Sequence, residues 1–450
     1  MGFKEDADFA RFVSMGAVGT AAVARNLRDQ HGHAPIELER YAMANKVWQT
    51  KVKRLRLPDL ACVRCGRRVE SRAKSKLGII LSHSDTPGRE WHAGGMRPDD
   101  WYAFLKADLS VFPAHAGSPT YFTTGALTAS VGGAKRSAPK AASEGSEVTL
   151  TWPAWVPGRS GWFRGVDDEG RIVCEWEDGR TTRYWQWRNW PEPRYTYLDP
   201  GDSILGEESI VAGVVAAASE LGCPGELWDL ASDLGAPDAV DRYAAIKAVG
   251  ATNRVDLAPR LARTTEHPEE DWRVRVEAYG SLARLQPEAW TDQLQELAAD
   301  PEGAAEQHME AVFVLSEIPT EEAATALATV ASNRDLAVEV RSASAWGLGQ
   351  GAALPSPPAA HHRRRRSLLS RFTRSLRSRT SPTTSPPRSS VGWRNRMNDG
   401  LRSLHSSCSD IGRWLHCSMQ PTRTPKHGSG HFARWATSRP RSCGFSPGIG

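Results

Sequence analysis

A chain of 450 residues, 40% of them hydrophobic, has length for about three domains of roughly 150 residues each, which excludes a small disulfide-stapled fold. Its seven cysteines are an odd number and widely spread, and Lys4, Glu5, Asp6 and Asp8 break any apolar leader, so reduced thiols and a cytoplasmic location are expected. The net charge of +5 averages unlike parts: 22 basic and 13 acidic residues over 1–140, 17 and 37 over 141–350, and 18 and 2 over 351–450.

In chain order, Asp8 to Gln30 has Phe9, Phe12, Val13, Val18, Ala22 and Leu27 at near-helical spacing and predicts an amphipathic helix. Glu37 and Glu39 open the next element, and a helical Glu there would be able to join a metal site. Residues 46–76 then hold 11 basic residues against two acidic ones, Asp59 and Glu70. Leu60–Arg64 and Arg67–Ala73 are expected as strands joined by a turn at Cys65-Gly66. With opposed residues summing to about 131, Asp59 faces Arg72 and lies diagonal to Glu70, while Glu70, Arg72 and Lys74 share one face. Two carboxylates held this way can bind magnesium, and neighbouring cations can stabilise a phosphate under attack. The bland alternative is a solvated basic hairpin with two offsetting acids and buried thiols. Lys51, Lys53, Arg54, Arg56, Arg67 and Arg68 are the candidate contacts to nucleic-acid phosphate. Beyond Lys76, a strand is expected over Leu77–Ser82 and a helix over Asp99–Leu109.

These residues resemble the PD-(D/E)XK nuclease superfamily, in particular a restriction-endonuclease branch that sets a Cys-x-x-Cys between the first acid and the Glu-x-Lys. The resemblance covers about 60 residues and falls on Asp59, Cys62, Cys65, Glu70 and Lys74. It implies an α/β nuclease-like domain over 1–128, with magnesium on Asp59 and Glu70 and a catalytic cation at position 72. This chain departs from the pattern there. Arg72 stays charged and cannot take a proton from water, so Lys74 takes that role, or Arg72 acts only through its charge, or cleavage is weak or absent. Cys62 and Cys65 also form a zinc-knuckle-like turn that needs further ligands. The branch's second Cys pair is missing upstream, and His31 and His33 are the histidines available to complete a site.

Residues 129–146, rich in Ser, Ala and Lys, are expected to be a linker. From 147 to 200 come seven tryptophans, Trp152, Trp155, Trp162, Trp176, Trp185, Trp187 and Trp190, on short strands expected at Val148–Trp152, Gly161–Val166, Arg171–Glu177 and Thr181–Trp187. This antiparallel meander resembles a small Tudor-like β-barrel. Its tryptophans either fill the core or offer one face to a cation or a base, with Trp185 and Trp187 on the same side.

From 205 to 350 a 33-residue repeat aligns Arg242, Arg275, His308 and Arg341. Ala245, Ala278, Ala311 and Ser344 follow at +3, and Val249, Leu282, Leu315 and Leu348 at +7. A degenerate first unit is expected at Ile210–Leu234. Its apolar run Ile210–Ala218 is far shorter than the ~20 residues of a membrane helix, so no membrane span is expected. The pattern predicts an all-α solenoid and resembles HEAT-like repeats; its acidity points to a protein partner with a basic patch. Residues 351–450 carry 17 Arg and one Lys without periodicity, and are expected to be either a disordered basic tail or the product of out-of-frame translation.

The fold class expected is thus multidomain: an α/β nuclease-like domain, a small Tudor-like β-barrel, an all-α HEAT-like solenoid and a tail. The function expected is a magnesium-dependent DNA endonuclease or a degenerate relative, serving restriction of foreign DNA, with zinc as a second ion. The alternative is a non-enzymatic HEAT-repeat adaptor whose N-terminal domain binds nucleic acid.

Overall fold

The computed structural model describes residues 6–38, 48, 50, 52–53, 55–87, 90–92, 94–142 and 145–351. Its N-terminal region is rich in sheet and its C-terminal region is helical. No helix among the described residues is long and apolar enough to cross a membrane. The expected tail, 351–450, lies outside the described residues apart from Gly351.

Helix α1 (Asp6–His31) buries Met15, Val18, Val23 and Leu27. Strands β1 (Pro35–Glu37), β2 (Leu60–Cys62), β3 (Arg68–Lys74), β4 (Ile80–His83), β5 (Trp101–Asp108), β6 (His115–Ala116) and β7 (Thr120–Thr123) follow. The first three form an antiparallel meander, β5 joins β3 in parallel, and β6 and β7 add to β5 antiparallel. Gly19 lets α1 touch this sheet, because a Cβ there would collide with that of Ala73.

The helix expected at Asp99–Leu109 is instead strand β5. Trp101 through Leu105 are all buried, so both faces of the strand are covered and no alternation betrays its period. Glu37 likewise ends a strand rather than opening a helix, and Glu39 lies outside the described residues.

The expected linker is also structured. After α2 (Thr124–Ala129) come β8 (Lys135–Arg136), β9 (Lys140–Ala142) and β10 (Gly145–Thr151); β8 and β9 pair with β10, and β10 pairs with β4 from Val148↔His83 to Thr151↔Ile80. Polar, Lys-bearing sequence suits exposed edge strands as well as it suits a linker.

The aromatic module comprises β11 (Ala154–Trp155), β12 (Gly161–Val166), β13 (Ile172–Trp176), β14 (Thr181–Tyr184), β15 (Tyr195–Thr196), β16 (Ser203–Ile204) and β17 (Ala212–Gly213). A four-stranded sheet ordered β14-β13-β12-β16 carries a core of Phe163, Ile172, Cys174, Trp176, Trp187 and Ile204. Trp185 and Trp187 do not share a face. The strand ends at Tyr184 and a tight helical turn follows, leaving Trp185 55% exposed and Trp187 buried. A second small sheet, β11-β17-β15, sets Ala154 beside Gly213.

Ile210–Leu234 is not a first helical repeat. Ile210, Val214 and Val215 join the core of Phe104, Phe122 and Trp152, and the chain then crosses the first sheet, with Ala218 N–H on the Tyr121 carbonyl (2.9 Å) and Cys223 N–H on that of His31 (2.8 Å). An apolar run hides equally well in a repeat or in another domain's core.

Helices α3 (Leu230–Asp233), α4 (Ala239–Ala251), α5 (Ala258–Glu266), α6 (Trp272–Leu285), α7 (Pro287–Ala299), α8 (Ala305–Glu317), α9 (Glu321–Ser332) and α10 (Val338–Gly351) make the second region. The helices α4, α6, α8 and α10 pack in succession, and each of the aligned small residues Ala245, Ala278, Ala311 and Ser344 is fully buried where they meet. Gly280 permits one such approach, since a Cβ there would strike Val314. Asp238, Asp271 and Thr320 cap α4, α6 and α9 by accepting backbone N–H groups.

The two regions are interlocked. Thr50 and Lys53, which precede β2, lie along the helical layers: the Thr50 hydroxyl donates to Glu339 (2.7 Å), Lys53 N–H to Glu306 (3.3 Å), and Arg273 to the Lys53 carbonyl (3.0 Å). Val52 is buried in the core around Phe313, and Leu55 and Leu57 pack on that of α4. Lys247, itself buried, donates to the Leu38 carbonyl (3.3 Å) and pairs with Glu317 (3.4 Å).

Candidate functional sites on the β2–β3 hairpin

The hairpin pairs Leu60 with Val69 and Ala61 with Arg68, so opposed residues sum to 129, two fewer than expected. Asp59 therefore faces Glu70 rather than Arg72. The cause is a tighter turn: Cys62 N–H bonds the Arg67 carbonyl (2.8 Å) and Gly66, at φ 72°, makes the reversal. One Asp59 carboxylate oxygen accepts the Ser71 N–H (2.7 Å), and its carbonyl accepts that of Leu38 (2.9 Å), which fixes an almost buried acid at the strand entrance.

Glu70, Arg72 and Lys74 alternate with Val69 and Ala73, which join the buried clusters on the α1 side. Arg72 pairs with Glu70 at 2.8 Å and stands 5.9 Å from the ring centroid of Tyr102 on β5. Tyr102 donates to the Trp91 carbonyl (2.7 Å), and burial, then the charge of Glu70, raises its phenol pKa. Burial, and next the charge of Arg72, lowers that of the Lys74 ammonium. The hairpin thus gathers two carboxylates and two cations beside a buried phenol.

The candidate nucleic-acid contacts divide. Arg68 is not on a DNA-facing surface: it is buried, ion-paired with Asp241 of α4 and bonded to the Gly95 carbonyl (2.5 Å). Arg67 is half-buried, donating to the Asp99 carbonyl with its guanidinium 4.9 Å from the ring centroid of Trp101. Lys53 and Arg56 are exposed, and Lys51 and Arg54 lie outside the described residues.

At the other end of the hairpin, His33, Cys62, Cys65 and Cys223 bring one ligand atom each to within 4.8 Å of all the others, a grouping able to hold a metal ion. Cys62 Sγ is 3.9 Å from Cys223 Sγ, and Cys65 Sγ is 3.6 Å from His33 Nδ1. His33 Nε2 meets the Leu221 carbonyl at 2.9 Å, which turns Nδ1 toward the sulfurs. Ala34 N–H donates to Cys62 Sγ (3.3 Å). The Cys62 thiol pKa is lowered to about 3, first by a hydrogen bond from Cys65 and against burial, then by His33 and the amides of Ala34 and Cys65. Of the two histidines proposed as completing ligands, His33 takes part; His31 instead packs edge-on to Tyr121.

Cys223 escapes sequence reasoning. It lies in Ser219-Glu220-Leu221-Gly222-Cys223-Pro224-Gly225, without a partner cysteine nearby, and only the extended return of the chain over the sheet delivers it. The chain matches no family model and no curated protein.

Proposed function

We propose that the β2–β3 hairpin carries a phosphodiester-hydrolysing centre of the PD-(D/E)XK type acting on DNA, in an active or a degenerate form. The observation behind this reading is the placement of Asp59 opposite Glu70, with Arg72 and Lys74 on the same strand face as Glu70. Opposed hard oxygen donors suit magnesium, which when bound would polarise a phosphate and acidify water. Glu70 would have to release Arg72 to bind it, and the freed guanidinium would then face the phosphate charge. Lys74, whose ammonium pKa is lowered by burial and then by the charge of Arg72, is the group on this face assigned the proton-accepting role. Zinc on Cys62 and Cys65 would brace the hairpin turn.

The same reading treats the aromatic module as Tudor-like and the helical layers as HEAT-like repeats. In the adaptor alternative the acidic helical face would take a basic partner with carboxylates other than Glu306 and Glu339, which already hold Thr50 and Lys53 of the same chain.

The test is cleavage of supercoiled plasmid by the full chain with and without magnesium, for wild type, Asp59→Ala and Arg72→Lys. Magnesium-dependent nicking lost in Asp59→Ala is expected of an active centre, with a gain in Arg72→Lys. DNA binding without cleavage by wild type, converted to cleavage by Arg72→Lys, identifies the degenerate form. Cleavage that survives Asp59→Ala, or no cleavage by any of the three, overturns the proposal.

A further inference from the structure

We propose that His33, Cys62, Cys65 and Cys223 form a closed, four-ligand zinc site that latches the sheet-rich region to the helical one. This rests on the zinc part of the preceding reading and adds the ligand set and the consequence of binding. Zinc bonds thiolate at about 2.3 Å and imidazole at about 2.0–2.1 Å, so a tetrahedral site has edges of about 3.8 Å between sulfurs and about 3.6 Å between sulfur and nitrogen. The observed 3.9 Å between Cys62 and Cys223 and 3.6 Å between Cys65 and His33 match two of the six edges to within about 0.1 Å, and all four ligand atoms lie within 4.8 Å of one another. Three soft sulfurs with one nitrogen favour zinc over magnesium or calcium. With four protein ligands no coordination position is left for substrate, so the ion is structural.

The supporting contacts also suit a metal. His33 Nε2 takes a backbone carbonyl, which sets the ring for coordination through Nδ1. The amide of Ala34 points at Cys62 Sγ, where it would stabilise a thiolate.

The ligands come from three separate places: the loop between α1 and β1, the β2–β3 hairpin turn, and the segment that returns from the aromatic module toward α3. Cys223 is the ligand that couples regions. Five residues later, Trp228 lies over Gly66 of the same turn, so tightly that a Cβ there would meet the indole at 2.9 Å, and its Nε1 donates to Asp233 of α3 (2.7 Å). Trp228 also packs against Leu38, Ala61 and Ala244, joining the sheet to α4. Fixing Cys223 on the turn therefore fixes the platform on which the first helical layer rests.

The experiment uses the full chain, prepared under reducing conditions with zinc as the only added metal. Zinc is assayed by atomic emission, ligation by the visible spectrum after cobalt(II) exchange, and the state of residues 219–229 by limited proteolysis with mass mapping. About one zinc per chain and a tetrahedral thiolate–cobalt spectrum are expected. Cys223→Ser should weaken zinc binding by roughly 100-fold or more, while Cys174→Ser, in the aromatic core, should leave it unchanged. Zinc removal should open 219–229 to cleavage, and zinc return should close it.

Absence of zinc, undiminished binding in Cys223→Ser, or recovery of a Cys62–Cys223 disulfide from the reduced preparation would overturn the site. Tight zinc binding with 219–229 equally protected in the zinc-free chain would overturn the latch alone. Cobalt exchange on the unmutated chain keeps the ligand question answerable should Cys223→Ser fail to fold.

Discussion

The helical region and the sheet-rich region solve the same burial problem over different sequence distances. Each helical layer rests on the next, and Tyr243 reaches Glu277 (3.0 Å) 34 residues on. In the sheet-rich region His33 meets Leu221 across 188 residues, and the core holding Phe104 is completed by Ile210, Val214 and Val215. Local repetition writes itself into sequence as a period. Long-range closure leaves no such trace, and it makes a region depend on segments that look foreign to it.

The strongest way to break this contrast is to cut one large side chain from each core. Phe104→Ala should cost about 3–5 kcal/mol and lower amide protection in the strands of 77–152 and in 210–218 together. Leu315→Ala should cost about 2–5 kcal/mol, with lost protection confined mainly to α6–α10. Hydrogen exchange followed by mass spectrometry reads both patterns, and an identical spread for the two variants would erase the distinction.

The seam between the regions comes next. Arg68→Met removes a buried cation from Asp241, which keeps 27% exposure and so recovers part of its hydration; a loss of about 2 kcal/mol in denaturant unfolding is expected. A smaller effect belongs to the helical layers alone: Asp238→Ala deletes the cap on Val240 N–H and should cost about 1 kcal/mol, read as a lowered melting temperature.

The smallest effect concerns Lys74. Its pKa in the folded chain lies below the unfolded value, so between the two the unfolded chain binds more protons and stability rises with pH. Lys74→Met should remove that rise when unfolding is compared at about pH 8 and pH 10. A wild-type slope that survives the substitution would assign it to another group.

The degree to which the sequence foretold the structure follows the same divide. The anchors Arg242, Arg275, His308 and Arg341 fall in α4, α6, α8 and α10, because helices that pack in succession on similar neighbours need the same small and branched residues at the same places. On the hairpin, the shared face of Glu70, Arg72 and Lys74 was legible from a period of two. Its register was not, since a two-residue shift leaves every side chain on its face and only the turn geometry at Gly66 decides. Strand β5 was hidden by burial on both faces, and Arg68 by its charge: an arginine in a basic run gives no sign that Asp241 awaits it from another region. Cys62, Cys65 and His33 were visible within one stretch, whereas Cys223 required knowing the path of the return.

The pairing of Ala154 with Gly213 also has a meaning for the gene. It brings the start and finish of the aromatic module side by side, so the chain departs and rejoins at nearly one point. The exposed turns at 167–170 and 178–180 are therefore where length can change in the course of descent, whereas Trp190 and Tyr197, packed on the Phe104 core, and Glu207 and Glu208, paired with Lys106 and His115, tie the module's return to the sheet-rich region.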